Sequence, residues 1–399
     1  MDSFQLAFFR ALNESEMGKN IIISPLSLYH IVSLTTNGAR GGTQIEMLNA
    51  LSNKDEENMN QINKLIKDII DKFKAVESAN HIFHKMDHFP IDSFLEKIKN
   101  YKAGIDFLVS AEQVNNWCSE ETHGKIKEII KKIHPKCAMI LINAIYFKGE
   151  WTQNFDKALT RKRYFYNSKK EKNLVEFMQS NDKHYYFENE DIQAISLNYK
   201  KDNMEALIIL PKNDYDINNY IKKFNQKEYN HILKNLTYEK VILYLPKFEL
   251  EFEKKLNQSL QDLGMELAFS EGGADFFNLF KKPEEKRSEI NYYIYQIIQK
   301  AYIKIDEKGT EAAAVTMIEM RFYTSKAIKP KKINIMDINH PFLFIIRNAD
   351  LPKEHDILFI AKIEELKDKG KNENEKKSRS ESKNKSRSRS RSRSNNKEE

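Results

Sequence analysis

From Lys367 to Glu399 the chain has almost no apolar residues, and it carries SRSRSRSRS from Ser386 to Ser394. Such a stretch cannot bury a core and is expected to be disordered. Whatever folds must therefore come from residues 1–366. No Pro/Gly/Ser-rich linker interrupts them, so one large body is a simpler expectation than the two or three domains that 399 residues would allow. The chain is 40% hydrophobic and 11% aromatic, ample for a sizeable core. Charge divides at the same boundary. Beyond residue 366, 13 Lys/Arg face 6 Asp/Glu, a surplus of 7 that equals the net charge of +7 for the whole chain. The body is electrically balanced, and the basic character belongs to the tail.

Lys304 to Lys332 reads KIDEKGTEAAAVTMIEMRFYTSKAIKPKK. Ala312, Ala313 and Ala314 favour helix, whereas Thr310, Val315, Thr316 and Ile318 are β-branched, so propensity does not settle the state of the segment. A chain able to occupy two states is the natural inference. In a strand, Thr310, Ala312, Ala314 and Thr316 would share one face, and all four are small enough to enter an existing sheet without overpacking it. The alternative is an Ala-rich helix end followed by a surface loop.

The rest of the body alternates helical and strand patterns. Phe4 to Leu12 reads as an amphipathic helix, and Ile21 to Ile23 as a buried strand ahead of a Ser24-Pro25 helix start. Ile62, Leu65, Ile66, Ile69, Ile70 and Phe73 fall on one helical face; Lys64, Lys67, Lys72 and Lys74 lie around the other side, interrupted by Asp68 and Asp71, which suits a solvated face. Val114 to Ile133 predicts a further helix. Leu141 to Phe147, apolar except for Asn143, suits a strand in the middle of a sheet. ISLNY, MEALIILP and VILYLPKFELEF have strand composition, Leu256 to Leu263 returns to helix, and Gly272-Gly273 marks a loop. Ile290 to Ile305 predicts a long strand leading into the segment above, and Pro341 to Ile346 a buried strand. The sum is an α+β fold with antiparallel-rich sheets.

No catalytic constellation emerges. The ten histidines are scattered, with no HExxH pattern, no G-x-S-x-G turn and no phosphate-binding glycine loop. Cys118 and Cys137 are too few for a disulfide framework and lack metal-ligand spacing, so buried free thiols are expected. The N-terminus has no basic start leading into an apolar run, and no apolar stretch approaches the ~20 residues that span a bilayer. A soluble protein of the cytoplasm or nucleus is expected, with export by an unconventional route leaving no mark. The glycosylation tripeptides at Asn13, Asn235 and Asn257 carry little meaning without secretory entry.

EKGTEAAA, from Glu307 to Ala314, resembles the hinge of the reactive-centre loop of serpins, the loop-inserting serine protease inhibitors. Four further blocks resemble the same family and keep its order: NIIISPLSLYHIVSLTTNGARGGTQIEML from Asn20, LINAIYFKGEWTQNF from Leu141, VILYLPKFELEFEKKLNQSLQDLGMELAFSEGGADFFNL from Val241, and DINHPFLFIIRNA from Asp337. Residues 1–366 are thereby expected to be a serpin domain, similar to the intracellular clade B. The resemblance implies a large central sheet, two smaller sheets, about eight or nine helices and an exposed reactive loop. It places Ser24 and Ser27 under the central sheet where its strands part, joined by Asn143. Gln299 stands where the family usually has a histidine, and it cannot titrate near neutral pH. Trp151 falls where serpins carry a tryptophan beneath the top of the sheet.

The implied activity is suicide inhibition and not catalysis. A protease cleaves the loop, and the freed hinge (Glu307, Gly309, Thr310, Glu311, Ala312, Ala313, Ala314) inserts as a new strand, trapping the acyl-enzyme. About seventeen residues counted from Glu307 reach Tyr323, giving Tyr323-Thr324 as the scissile bond, as family spacing implies. Its ring points to chymotrypsin-like or cathepsin-G-like enzymes, and Phe322 suits the same pocket one residue earlier. Arg321 and Lys326 would instead attract trypsin-like enzymes. Two other readings remain open: inhibition of papain-like cysteine proteases, and a non-inhibitory binding or chaperone role. The resemblance implies a monomer with a covalent protease partner, no cofactor and no membrane. The tail, Lys367 to Glu399, resembles the RS segments of splicing-associated proteins. It is expected either to hold nucleic acid or an acidic partner by charge or to act only as a solubiliser.

Overall fold

The computed structural model describes residues 2–51, 58–72, 77–85, 89–134, 137, 139–212, 216–281, 292–310 and 333–367. The described helices are α1 (Phe4–Ser15), α2 (Pro25–Thr36), α3 (Gly41–Leu51), α4 (Met59–Lys72), α5 (Asp92–Asn100), α6 (Ala111–Glu121), α7 (Ile217–Lys223), α8 (Gln226–Asn235) and α9 (Asn257–Gln261). The strands are β1 (Ile21–Ile23), β2 (Glu77–His84), β3 (Gly104–Phe107), β4 (Met139–Tyr146), β5 (Gly149–Glu150), β6 (Arg161–Tyr166), β7 (Lys172–Glu188) and β8 (Ile192–Asn198). They continue with β9 (Met204–Pro211), β10 (Thr237–Pro246), β11 (Phe248–Lys255), β12 (Gln296–Asp306), β13 (Gly309–Thr310), β14 (Asn334–Asp337), β15 (Phe342–Asn348) and β16 (Ile357–Ile363). The α+β expectation holds.

One sheet runs β3-β2-β4-β12, with β11 on the outer side of β12 and the short β13 and β5 at its upper end. The other runs β1-β16-β15-β9-β8-β7-β10-β14, with β6 also on β7. The two smaller sheets of the expectation are joined, because the 17-residue β7 pairs with β8 along one end and with β10 and β6 along the rest.

β4 lies at the centre, and its alternation fixes the layers. Leu141 faces a core with Leu28, Tyr29 and Ile31 of α2. Ile140, Ile142 and Ala144 face the opposite way, onto Val114 and Cys118 of α6 and onto Ile126, Ile129 and Ile130. Burial on both faces accounts for the nearly unbroken apolar run of this strand.

Two expectations need correction. The helix predicted over Val114 to Ile133 ends at Glu121: His123 (φ +50°) and Gly124 (φ +76°) turn the chain in left-handed backbone, and residues 125–133 continue as a strap without helix across the sheet. VILYLPKFELEF is two strands in two sheets, divided at Lys247, after Pro246 has removed a ladder donor.

Candidate functional site

The site is a seam. β4 and β12 pair directly and in parallel, from Gln296 opposite Ile140 to Tyr302 opposite Tyr146. Parallel pairing is slightly weaker per residue than antiparallel. Beneath the seam a polar row crosses three strands, since Asn143 sits opposite Asn80 on β2 and opposite Gln299 on β12. The Asn143 amide donates to Asn80 Oδ1 (2.8 Å) and to the Ser27 hydroxyl. Gln299 Nε2 donates to Asn143 Oδ1 (2.5 Å) and to the Ser24 carbonyl (3.0 Å), while its Oε1 accepts from the Ser24 amide (2.9 Å). Ser24 also caps α2, accepting from the Ser27 amide. Ser24, Ser27, Asn143 and Gln299 thus form one buried network tying the start of α2 to the seam, and in it Gln299 uses donor and acceptor at once.

Above the row the seam is closed by the hinge. The chain turns at the end of β12 and sends Gly309 and Thr310 back as β13, antiparallel to β12 (Ile305 opposite Thr310) and to β5 (Thr310 opposite Gly149). Gly309 is required twice over. Its φ is +145°, and a Cβ there would lie 2.1 Å from the Gly149 carbonyl oxygen. Thr310 is 0% exposed and shares a 2.8 Å hydrogen bond with the Tyr199 hydroxyl. Trp151 is buried below, its indole N–H donating to the Asp306 carbonyl (3.0 Å) and its amide to the Lys308 carbonyl (2.9 Å).

Glu307 closes the outer side. Its carboxylate accepts from Thr160 (2.8 Å) and from Lys247 (3.1 Å). Burial alone would raise its pKa, but these bonds and the Lys247 charge outweigh it and hold the carboxyl below the usual range. Over the opposite face, Lys300 of β12 reaches the strap, donating to the Glu128 carbonyl (2.6 Å) and pairing with Glu251 of β11 (2.7 Å).

Glu307, Gly309, Thr310, Ser24, Ser27, Asn143, Trp151 and Gln299 are therefore brought to one seam. Glu311, Ala312, Ala313, Ala314, Arg321, Phe322, Tyr323, Thr324 and Lys326 lie outside the described residues, as does the tail from residue 368. Sequence reasoning missed Asn80, Tyr199 and Lys247. The first two stand opposite residues it had selected, and only strand register could have found them.

The family profile described as Serpin (serine protease inhibitor) matches residues 1–366. Intracellular coagulation inhibitor 2 of Tachypleus tridentatus is 30% identical over 378 residues, covering 90% of this chain and 88% of the relative. Human Serpin B8 is 28% identical over 376 residues, covering 90% and 96%. Among solved structures, the native state of the thermophilic serpin tengpin superposes with a TM-score of 0.82 at 30% identity, covering 91% of this chain and 92% of that one. The two-sheet fold, the profile and the relatives agree on a family: the chain belongs to the serpins.

Proposed function

We propose that the protein is a suicide-substrate inhibitor of chymotrypsin-like or cathepsin-G-like serine proteases, with Tyr323-Thr324 as the bait bond and residues 367–399 as a separate basic tail. The observation that carries this reading is the geometry of the seam: β4 and β12 are paired in parallel, and β13 already enters at their upper end antiparallel to β12. A strand continuing from Thr310 would exchange one parallel ladder for two antiparallel ones.

The chemistry belongs to the protease. Its serine oxygen attacks the Tyr323 carbonyl, the Tyr323-Thr324 bond breaks, and Thr324 leaves as a free amine carrying the proton, so that Tyr323 is held as an ester. The hinge side of the loop is then free at one end and enters the seam. The tethered protease is carried along and distorted before water can cleave the ester.

Incubation with chymotrypsin, cathepsin G, trypsin and a papain-like enzyme, followed by a denaturing gel, tests the reading. A covalent complex is expected with the first two, with Thr324 as the new N-terminus of the released fragment. A new N-terminus at Ser325 or later overturns the bond assignment. Thr310→Arg would force an unpaired charge into a fully buried position, a cost of several kcal/mol, so the variant should be cleaved as a substrate without forming complex. Complex formation by that variant overturns the insertion mechanism.

A further inference from the structure

Thr310 is held by more than its backbone, and the residue that holds it comes from the other sheet. Tyr199 follows β8, and its ring lies flat against Trp151 (centroids 4.4 Å apart, 19° between planes) and edge-on to Phe147 (5.1 Å, 78°). Its amide donates to the Met204 carbonyl at 2.8 Å, and an isolated bridge pairs its backbone with Trp151. The platform beneath it is fixed in turn, because Trp151 binds the carbonyls of Asp306 and Lys308 on the hinge turn itself. A Cβ on Gly149 would meet Phe147 at 2.7 Å and Tyr199 at 2.8 Å, so this glycine is what lets the two rings close over the top of the seam. The result is one phenol hydroxyl delivered, without freedom to turn away, to the side chain of Thr310.

We propose that Tyr199 is a positioning residue for strand insertion: its hydroxyl docks Thr310 before any cleavage and so fixes the register in which the rest of the hinge enters the seam. The proposal rests on the inhibitor reading for its consequence, though not for its geometry. Register matters because side chains alternate, and a slip by one residue sends every side chain of an entering strand to the opposite face. With Thr310 opposite Ile305 and Gly149, the small residues Ala312, Ala314 and Thr316 share its face in the sequence pattern; a slip would present Glu311 there instead. A buried hydroxyl pair discriminates between these outcomes, since among the described residues each hydroxyl has the other as its partner, and either left alone would be a buried polar group without one. Insertion thus starts from a docked end and competes with deacylation of the protease. If the end is loosened, insertion must wait for docking, and more inhibitor is consumed as substrate.

The test is a double-mutant cycle on intact protein with two readouts. Tyr199→Phe keeps the ring stack and Thr310→Val keeps the shape, but each strands one hydroxyl; the double variant strands none. Peptide-level hydrogen exchange over residues 306–310 should accelerate in each single variant, by about fivefold or more, and return toward the parent rate in the double variant. The number of inhibitor molecules consumed per chymotrypsin inactivated should follow the same order, rising in both singles and recovering in the double. The rate of the initial loop cleavage should not fall, whereas general damage to the fold would lower it. Unchanged exchange and unchanged stoichiometry in Tyr199→Phe overturn the proposal, as does a double variant no better than the worse single. Were the exchange pattern to appear while the parent protein traps no protease, docking by Tyr199 would stand and the inhibitor reading would fall.

Discussion

Asn143 is the one polar residue in an otherwise apolar central strand, and the network around it shows what a single side chain can do in a low-dielectric interior. Gln299 in that network does not titrate, so acid sensitivity has to arise elsewhere in the body. It arises most strongly at His30 and His81. Burial drives the His30 pKa down to about 3, with the charge of His355 adding to it. Burial drives His81 down to about 4, although Asp106, 3.0 Å from its ring, pulls the other way. Both are neutral in the folded protein and have ordinary values near 6.5 when unfolded, so below that pH the unfolded chain binds more protons and stability is lost as pH falls toward the folded values. Each unit below about 6.5 removes roughly 1.4 kcal/mol per histidine, or about 2 kcal/mol each at pH 5. Thermal melts of the intact protein should therefore fall between pH 6.5 and pH 5, above the window in which ordinary carboxylates titrate. His30→Gln should melt with a shallower pH slope; parallel profiles for the two proteins would remove His30 from this account.

At the scale of elements, sequence periodicity reported the face that is buried more faithfully than the backbone that buries it. Ile126, Ile129, Ile130 and Ile133 repeat as a helix would, and the first three are indeed buried, yet they belong to the strap. What replaces the helical ladder is Asn115 of α6, whose side chain donates to the Ile130 carbonyl (2.8 Å) and accepts from the amides of Ile129 (2.8 Å) and Ile130 (3.1 Å). A tertiary hydrogen bond of that kind leaves no local signature. By contrast, α1, α4, β4 and β15 fall within a few residues of their predicted bounds, because each buries its own periodic face. Gly309 and Thr310 stand out in the sequence as a motif, but the contact of Thr310 with Tyr199 depends on two sheets meeting, which composition does not report. Asn115→Ala should free the strap. Three backbone groups lose a partner, a loss of about 2–4 kcal/mol if two of them stay dry. The intact protein should melt several degrees lower, and exchange should accelerate over residues 122–133 while β10 keeps its protection. Equal exchange over the strap in both proteins would mean that Lys300 and the buried isoleucines hold it without Asn115.

At the scale of the whole molecule, the proposed insertion requires a seam complete enough to fold yet weaker than the sheet it would become. β4 and β12 pair their backbones in the parallel register, from Gln296 opposite Ile140 to Tyr302 opposite Tyr146. A strand placed between them would give each an antiparallel neighbour and would bury further small side chains above the Asn143 row. If about ten residues entered, each adding net hydrogen bonding of roughly 1 kcal/mol together with buried apolar surface, the gain would match or exceed the whole stability of an ordinary domain. In the proposed mechanism the gain follows cleavage, since an uncut strand is tethered at both ends, through β12 on one side and β14 on the other. Intact and loop-nicked protein, melted side by side at pH 7.5, should differ by well over 10 °C in favour of the nicked form. Nicked Thr310→Arg should gain little, because its strand cannot enter past the first buried position. Equal midpoints for the intact and nicked parent would leave the seam without a driving force, and the parallel pairing of β4 with β12 would then be a resting structure with no second state.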